Sequence, residues 1–154
     1  MTEVLRPGFD YVGVSTPFYC HDGKGHILLA KRAAEARDEH GTWDPGSGEL
    51  EFGVTIKDNI LREVREEYGC DGEVQEFLPA HSIFREMDGV QTHWIAIAAF
   101  VLVDPDQVEL TEPDKFSELG WFTLDTLPSR LHRGFAFTLD TFREVFMQII
   151  NQSR

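Results

Sequence analysis

Residues 48–70 have the sequence GELEFGVTIKDNILREVREEYGC, and this stretch decides the fold. It starts in a glycine-rich segment and continues, from Thr55 to Tyr68, without glycine or proline. A period of three to four residues between apolar side chains is typical of an amphipathic helix. The apolar residues that recur at this spacing are Ile56, Ile60, Leu61, Val64 and Tyr68.

Both ends of this predicted helix have recognisable signals. Thr55 followed by Asp58 resembles a capping box, with aspartate in place of the usual glutamate or glutamine. Gly69 supplies the residue that most readily adopts the left-handed conformation at a helix C-terminus. We therefore predict a helix from Thr55 to Tyr68.

Three carboxylates lie on one face of this helix. Glu63, Glu66 and Glu67 stand at positions i, i+3 and i+4, so their side chains are one turn apart. Such like-charge pairs destabilise a helix by a few tenths of a kcal/mol each. A hard divalent cation, which prefers oxygen ligands, would neutralise them. The alternative is a solvated acidic face, and the glutamate spacing alone leaves both open.

The whole segment resembles the Nudix box, the signature of the Nudix (MutT-like) hydrolases. That box consists of Gly, five residues, Glu, seven residues and then Arg-Glu-apolar-any-Glu-Glu-any-Gly-apolar. The residues that match it are Gly48, Arg62, Glu63, Val64, Glu66, Glu67, Gly69 and Cys70. The resemblance, which covers roughly residues 9–150, implies an α+β fold, the Nudix-type α/β/α sandwich with a mixed sheet between helices. We expect residues 1–154 to form a single domain of this kind.

The resemblance also implies an activity, which is metal-dependent hydrolysis of a pyrophosphate bond. The substrate would be a nucleoside di- or triphosphate or a nucleoside-diphosphate derivative, and the cofactor Mg²⁺, with Mn²⁺ as a substitute. The implied catalytic residues are Glu63, Glu66 and Arg62. The implied metal ligands are Glu63, Glu66, Glu67, the Ser47 carbonyl and Glu112, which precedes a proline in a late loop. For Glu112, the alternative of an ordinary exposed loop carboxylate stays open.

One position departs from the box. The first box glutamate belongs at position 54, where this chain has Val54. In the family that glutamate organises the loop and interacts with the box arginine, so Arg62 lacks its usual partner, and Glu49 or Glu51 is the candidate replacement. The departure favours one alternative function, a catalytically weakened Nudix-fold nucleotide-binding or interaction module. An acidic interaction domain without a metal site is a third and weaker hypothesis.

Candidate substrate-binding residues lie on the predicted strands. Lys31 and Arg32, at the end of the second strand, are candidates for contacts with phosphate, although solvated charges at a strand end are the alternative. Aromatic rings stack on nucleobases, although aromatic residues on strands are more often part of the core. The candidates for the base or ribose end of the substrate are Phe84, Arg85, His93 and Trp94.

The rest of the chain predicts strands on both sides of the box helix and a helix at the end. The predicted elements are a hairpin over residues 11–31, a loop over 32–42, a short strand over 49–52, two long strands over 73–86 and 90–103 around the turn Met87-Asp88-Gly89, a loop over 104–117, a strand over 119–123, a turn or short helix over 124–128 and a second amphipathic helix over 137–152. The run WIAIAAFVLV, residues 94–103, predicts a central strand buried on both faces.

Composition limits the partners. With 27 acidic and 14 basic side chains the formal net charge is −13, which argues against nonspecific binding to duplex nucleic acid or to an anionic membrane. A small phosphorylated substrate remains compatible, because bound metal ions reverse the local charge. The absence of a signal-peptide pattern and of a long apolar run predicts a cytoplasmic location. Cys20 and Cys70 are interpreted as small apolar residues. The apolar strands and many phenylalanines leave a homodimer open.

Overall fold

A computed structural model describes residues 3–36 and 38–152, which form two β-sheets and three α-helices. The strands are β1 (Gly13–Ser15), β2 (Phe18–His21), β3 (Ile27–Arg32), β4 (Trp43–Asp44), β5 (Gly72–Phe77), β6 (His81–Met87), β7 (Val90–Ala96), β8 (Ala99–Val103) and β9 (Phe116–Phe122). The helices are α1 (Ile56–Tyr68), α2 (Arg133–Thr141) and α3 (Arg143–Gln152), with a short 3₁₀-helix at Pro105–Gln107. None of the helices in these two ranges has the length and apolar character needed to cross a membrane.

The larger sheet lies between helices. Its strands follow the order β4-β3-β2-β8-β5, with β9 paired to β3, and it is mixed because β2 and β8 are parallel. Alternate residues of a strand point to opposite faces, so Phe18 and Leu28 pack with α1 whereas Tyr19 and Leu29 pack with α2 and α3. The predicted α/β/α sandwich with a mixed sheet is confirmed.

The smaller sheet, β1-β7-β6, arises because three predicted strands each break and change sheets. Residues 11–20 divide at Pro17 and residues 73–86 divide near Pro79, since proline lacks the N–H that a continuous ladder requires. Residues 90–103 divide without a proline, because β7 follows β1 into the smaller sheet and β8 follows β2 into the larger one. The run 94–103 is therefore two strands, so the prediction of one continuous strand was wrong, whereas β8 is largely buried and lies between β2 and β5, which agrees with the predicted central position.

Helix α1 forms as predicted. Thr55 adopts an extended conformation at the N-cap, and its hydroxyl accepts a hydrogen bond from the Asp58 N–H at 3.1 Å. Gly69 has φ +66° at the C-cap, and its N–H donates to the Arg65 carbonyl. These end signals involve neighbouring residues only, which explains why the sequence specifies both ends of the helix.

Three other predicted elements differ in the structure. Residues 49–52 form no strand, only a single bridge between Ser15 and Glu49, because Asn59 binds this backbone instead. Strand β9 begins at residue 116 rather than 119 and extends the pairing with β3. The C-terminal helix is two helices that meet at Phe142, whose φ of −115° and ψ of 30° interrupt the helix.

Candidate active site

The loop of residues 45–48 lies against α1, and its carbonyl groups define a potential ligand. Three of the four carbonyls accept hydrogen bonds, whereas within the described ranges that of Ser47 accepts none. The bonds run from the Tyr68 hydroxyl to Pro45 (2.6 Å), from the Phe18 N–H to Gly46 (3.1 Å) and from the Thr16 N–H to Gly48 (2.8 Å). The loop is therefore fixed on both sides of Ser47, and the Ser47 carbonyl is available as a ligand.

Two glycines let this loop approach the helix carboxylates. A Cβ atom at Gly48 would lie 2.4 Å from Cδ of Glu63, and one at Gly46 would lie 2.8 Å from Oε2 of Glu67. Real Cβ atoms do not make contacts this short, so these positions require glycine. The box glycine thus has a steric role, which is to bring the loop backbone onto the carboxylates of α1.

Glu67 is the most unusual carboxylate of the site. It is only 1% exposed, and its Oε1 atom accepts a hydrogen bond from Nζ of Lys115 at 3.0 Å. Its Oε2 atom is buried and has no hydrogen-bond partner among the residues that the structure describes. Burial raises the pKa of Glu67 to about 8 and outweighs the opposing effect of Lys115. Buried polar atoms nearly always have a partner, so Oε2 indicates a place where a ligand binds.

Glu63 and Glu66 occupy different environments from Glu67. Glu63 lines the cleft, and burial together with the neighbouring Glu66 raises its pKa, although Arg62 donates to its Oε1 atom at 3.2 Å. Glu66 is exposed, lies 3.7 Å from Nε of Arg62 and is not among the cleft-lining residues. Of the three predicted carboxylates, Glu63 and Glu67 therefore face the cleft and Glu66 lies at its edge.

Arg62 keeps an acidic partner although Val54 replaces the box glutamate. Its Nη1 atom donates to Oε2 of Glu51 at 2.8 Å, and its Nη2 atom donates to Oδ1 of Asn59 at 2.9 Å. Of the two candidate replacements, Glu51 contacts Arg62, whereas Glu49 offers only its backbone carbonyl, which accepts a hydrogen bond from Asn59. The missing carboxylate at position 54 is thus replaced three residues earlier in the chain.

Asn59 connects the loop to the helix, and the sequence pattern does not single it out. It is fully buried, and its side-chain amide makes four hydrogen bonds. Nδ2 donates to Oγ1 of Thr16 (2.9 Å) and to the carbonyl of Glu49 (3.1 Å), while Oδ1 accepts from the N–H of Glu51 (3.3 Å) and from Arg62 (2.9 Å). It therefore positions the segment that supplies the partner of Arg62.

A cleft of about 560 Å³ extends from these carboxylates to an aromatic wall. Glu63, Glu67 and Lys115 line one part, and Trp94 and Phe135 line another. Gly8 and Gly13 lie against the Trp94 ring so closely that a Cβ atom at either would be 2.2 or 2.6 Å from it. The indole ring is therefore fixed in place by backbone of the N-terminal segment.

Other predicted site residues lie elsewhere. Lys31 is paired with Glu118 at 3.7 Å and does not line the cleft, because adjacent residues of β3 point to opposite faces. Phe84 and His93 stack on each other at 4.4 Å and are likewise absent from the cleft lining. Glu112 is also outside the lining, and the late loop contributes Asp114 and Lys115 instead. We do not retain these four residues as ligands.

Arg32 and Arg85 line the cleft, but their guanidinium groups already have acidic partners. Arg32 donates to Asp38 at 3.1 Å and to Asp44 at 2.9 Å, and only 8% of its side chain is exposed. Arg85 contacts Asp38 at 3.4 Å and Glu39 at 2.5 Å. These pairs attach the loop between β3 and β4 to β6, so we assign both arginines a structural role. Arg32 is then not used as a phosphate ligand, and Arg85 is not used at the base or ribose end of the substrate.

A second acidic cluster was missed because its residues are distant in sequence. Asp38, Glu39 and His132 form the only trio of potential metal ligands in the described ranges whose ligand atoms all lie within 4.8 Å of one another. Glu39 is 3% exposed. Burial alone would raise its pKa, but hydrogen bonds from His132 and Arg133 and the charge of Arg85 lower the pKa to about 2. With Arg85 already neutralising it, this cluster is a structural ion-pair network rather than a metal site.

The box residues fit a divalent cation on three grounds. Among the described residues, Oε2 of Glu67 is buried without a hydrogen-bond partner and the Ser47 carbonyl accepts no hydrogen bond, and Gly46 and Gly48 let the loop backbone approach the carboxylates closely. The potential donors are all oxygen atoms, which Mg²⁺ and Mn²⁺ prefer. Glu67 and the Ser47 carbonyl would therefore hold the ion, with Glu66 on the solvent side.

The comparisons with known proteins agree on one family. The family model described as NUDIX domain matches residues 13–144. A CTP pyrophosphohydrolase of Escherichia coli (strain K12) is 36% identical over 69 residues, which are 45% of this chain and 49% of the relative, so the match spans about half the length of that protein.

Solved structures match over nearly their full length. A MutT NUDIX hydrolase from Burkholderia pseudomallei has a TM-score of 0.73 and 27% identity, over 85% of this chain and 98% of that one. A MutT protein from Methanosarcina mazei Go1 has a TM-score of 0.71 and 23% identity, over 87% of this chain and 94% of that one, which shows a shared fold.

Proposed function

We propose, from the premise that this chain belongs to the NUDIX domain family, that it is a divalent-metal-dependent pyrophosphohydrolase. Its substrate is a nucleoside di- or triphosphate or a related nucleoside-diphosphate derivative. The observation that best supports the proposal is the buried Oε2 atom of Glu67, which has no hydrogen-bond partner among the described residues and belongs to the cleft that Ser47 also lines. A bound Mg²⁺ or Mn²⁺ supplies Lewis acidity and lowers the pKa of a coordinated water.

The residues of the chain have distinct roles in this proposal. Glu67 and the Ser47 carbonyl bind the ion from inside the fold, and Glu66 binds it from the solvent side. Glu63 accepts the proton of the attacking water, because a raised pKa makes its carboxylate a better base. Arg62 holds Glu63 through Oε1 and is itself held by Glu51.

The binding-module alternative depends on Val54, and the contact between Arg62 and Glu51 weakens it. The acidic partner that position 54 does not supply comes from Glu51, so the box arginine is not left unpaired. We therefore favour turnover over binding alone. The test is turnover of a panel of nucleoside triphosphates, sugar nucleotides and dinucleotides with Mg²⁺ or Mn²⁺, with CTP tried first because of the relative described above. Turnover of none of them would refute the proposal.

Glu51→Ala is expected to lower kcat/KM by roughly 10- to 100-fold, the range seen when a group supporting a metal-site residue is removed. The reason is that Arg62 loses its acidic partner outside the helix and no longer holds Glu63. Glu118→Ala is the matched control, because its side chain is 56% exposed, compared with 60% for Glu51, and pairs with Lys31 away from the cleft. Steady-state kinetics of the two variants make the comparison.

A second substitution tests whether the loss comes from the missing partner. Adding Val54→Glu to Glu51→Ala returns a carboxylate to the box position and is expected to restore part of kcat/KM. If Glu51→Ala has the activity of wild type, Glu51 does not replace the box glutamate.

Trp94→Ala is expected to raise KM for a nucleotide by roughly tenfold with a smaller change in kcat, because stacking on an aromatic ring contributes about 1–3 kcal/mol per base. Phe84→Ala is the control, since this aromatic residue lies on the neighbouring strand of the same small sheet but outside the cleft. Equal KM values for Trp94→Ala and wild type would mean that the base binds elsewhere.

A further inference from the structure

The late loop brings a lysine into the carboxylate site. Nζ of Lys115 donates to Oε1 of Glu67 at 3.0 Å, and the two residues are 48 positions apart in the chain. Lys115 lines the cleft and is 39% exposed, whereas Glu67 is buried. The lysine therefore donates a hydrogen bond to a carboxyl group that the solvent does not reach.

Contacts with α1 fix the loop that supplies this lysine. The N–H of Glu109 donates to the carbonyl of Tyr68 at 2.9 Å, and the hydroxyl of Thr111 donates to the carbonyl of Glu66. A Cβ atom at Gly69 would lie 2.8 Å from Cγ of Glu109, so this glycine permits the close approach. The end of the helix that supplies Glu66 and Glu67 thus also positions the loop that supplies Lys115.

The base of the lysine is fixed as well. The carbonyl of Lys115 accepts a hydrogen bond from the Ala33 N–H at 2.9 Å, and its N–H donates to the carbonyl of Glu112 at 3.0 Å. Its ammonium group lies 5.3 Å from the centre of the Phe116 ring, and Phe116 is fully buried. These contacts limit the directions in which Nζ can point, and Glu67 is its hydrogen-bond acceptor.

The two oxygen atoms of Glu67 are therefore not equivalent. Oε1 accepts the hydrogen bond from Lys115, while Oε2 has no hydrogen-bond partner in residues 3–36 and 38–152 and faces the loop at Gly46. A carboxylate with both oxygens free would rotate about its terminal bond, whereas one with a fixed oxygen presents the other in a single direction. Groups that hold a metal ligand in this way strongly affect the affinity of the metal site.

We propose that Lys115 is a positioning residue of the metal site, which holds Oε1 of Glu67 so that Oε2 is presented to the divalent ion. The inference rests on the proposed function, since it assumes that Glu67 binds the ion. It assigns the late loop a different contribution from the one predicted, because the loop supplies a cation that orients a ligand and not the carboxylate of Glu112. Simple charge repulsion between Lys115 and the ion would have the opposite effect, which makes the proposal testable.

The test is calorimetric titration of Mn²⁺ into wild type, Lys115→Met, Lys115→Arg and Lys31→Met, each dialysed free of metal. Lys31→Met is the matched control, because Lys31 is 40% exposed and pairs with Glu118 outside the cleft. The substitution changes the net charge by the same amount as Lys115→Met. We expect Lys115→Met to bind Mn²⁺ about 10- to 100-fold more weakly than Lys31→Met. Lys115→Arg, which retains a cationic donor, is expected to recover most of the affinity.

Each outcome decides one question. Equal or tighter Mn²⁺ binding by Lys115→Met than by Lys31→Met overturns the inference and leaves the proposed function standing. Equal weakening in Lys115→Met and Lys115→Arg also overturns it, because the loss would then come from disturbed packing. Absence of Mn²⁺ binding in the wild-type protein refutes the metal site itself, and with it the proposed function. Thermal unfolding of the metal-free variants checks that all four proteins are folded.

Discussion

Glu67→Gln is expected to reduce metal-dependent turnover by roughly 100-fold or more and, at the same time, to stabilise the metal-free protein at alkaline pH. The loss of turnover follows because the substitution removes a direct ligand, and even supporting residues of metal sites contribute about 10- to 100-fold. The gain in stability follows because glutamine has no charge to bury. A residue with a purely structural role would not change the two properties in opposite directions.

The direction of the pH dependence follows from the raised pKa. The pKa of Glu67 is about 8 in the folded protein, compared with an ordinary value of 4.5. The folded state therefore binds the Glu67 proton more tightly than the unfolded state. The stabilisation that this proton binding provides is complete below pH 4.5 and is lost as the pH rises to about 8. Above that pH, Glu67→Gln should be more stable than the wild type by an amount on the order of a few kcal/mol.

Thermal unfolding at pH 5 and pH 8.5, in protein dialysed against a chelator, measures this effect. The neighbouring Glu66→Gln is the control, because Glu66 is exposed and its substitution removes no buried charge. It should lower turnover without stabilising the protein at pH 8.5. Addition of Mg²⁺ should stabilise the wild type at pH 8.5 and Glu67→Gln much less, since only the wild type retains the complete ligand set. If Glu67→Gln is no more stable than the wild type at pH 8.5, burial does not disfavour the charged form of Glu67.

Gly48→Ala is expected to lower turnover by roughly 100-fold while the protein remains folded. The added Cβ atom would lie 2.4 Å from Cδ of Glu63, so the glutamate must leave its position against the loop. The side chain of Glu63 is 16% exposed and lines the cleft, so it can move towards the cleft, and its displacement costs less than disrupting the core. Misplacement of a catalytic group by about 1 Å reduces rates by about 100-fold.

The matched control for Gly48→Ala is Gly53→Ala, which adds the same atom to the same loop. No atom of the described residues lies within 4 Å of a Cβ at Gly53, but its φ of +82° makes alanine strained by about 1–2 kcal/mol. Gly53→Ala should therefore lose stability and keep its kcat, whereas Gly48→Ala should lose kcat. Steady-state kinetics with thermal unfolding of both variants separate the two effects. Full activity of Gly48→Ala would mean that the contact between the loop and Glu63 is not needed for catalysis.

The features that the sequence predicted correctly are those determined by residues close together in the chain. Helix α1, its Thr55 cap and its Gly69 end were all specified within a few residues, as was the placement of Glu63 and Glu67 on one face. The strands were predicted as too long, because the alternation of apolar residues continues where the backbone leaves one sheet for the other. Pro17 and Pro79 were the available signals for two of the three breaks, and the third at Ile97 and Ala98 had none.

The parts of the site that the sequence did not reveal depend on tertiary contacts. Lys115 reaches Glu67 across 48 positions, and Arg85 reaches Glu39 across 46. Arg32 and Arg85 had the residue type of phosphate ligands, but only the fold shows that their charges are already paired. Asn59 lies in the box helix at a position for which the box specifies no residue, so its role as the connection to Glu51 and Arg62 became evident only from its four hydrogen bonds.

The measurement that tests the central claim most directly is product analysis of a nucleoside triphosphate incubated with the wild-type protein, first in chelator and then after addition of Mg²⁺. We expect no cleavage in chelator and catalytic release of pyrophosphate or phosphate once Mg²⁺ is present, with the activity of Glu66→Gln and Glu67→Gln strongly reduced. Nucleotide binding without cleavage of any compound in the panel, with Mg²⁺ or Mn²⁺ present, would contradict it and identify the protein as a binding module.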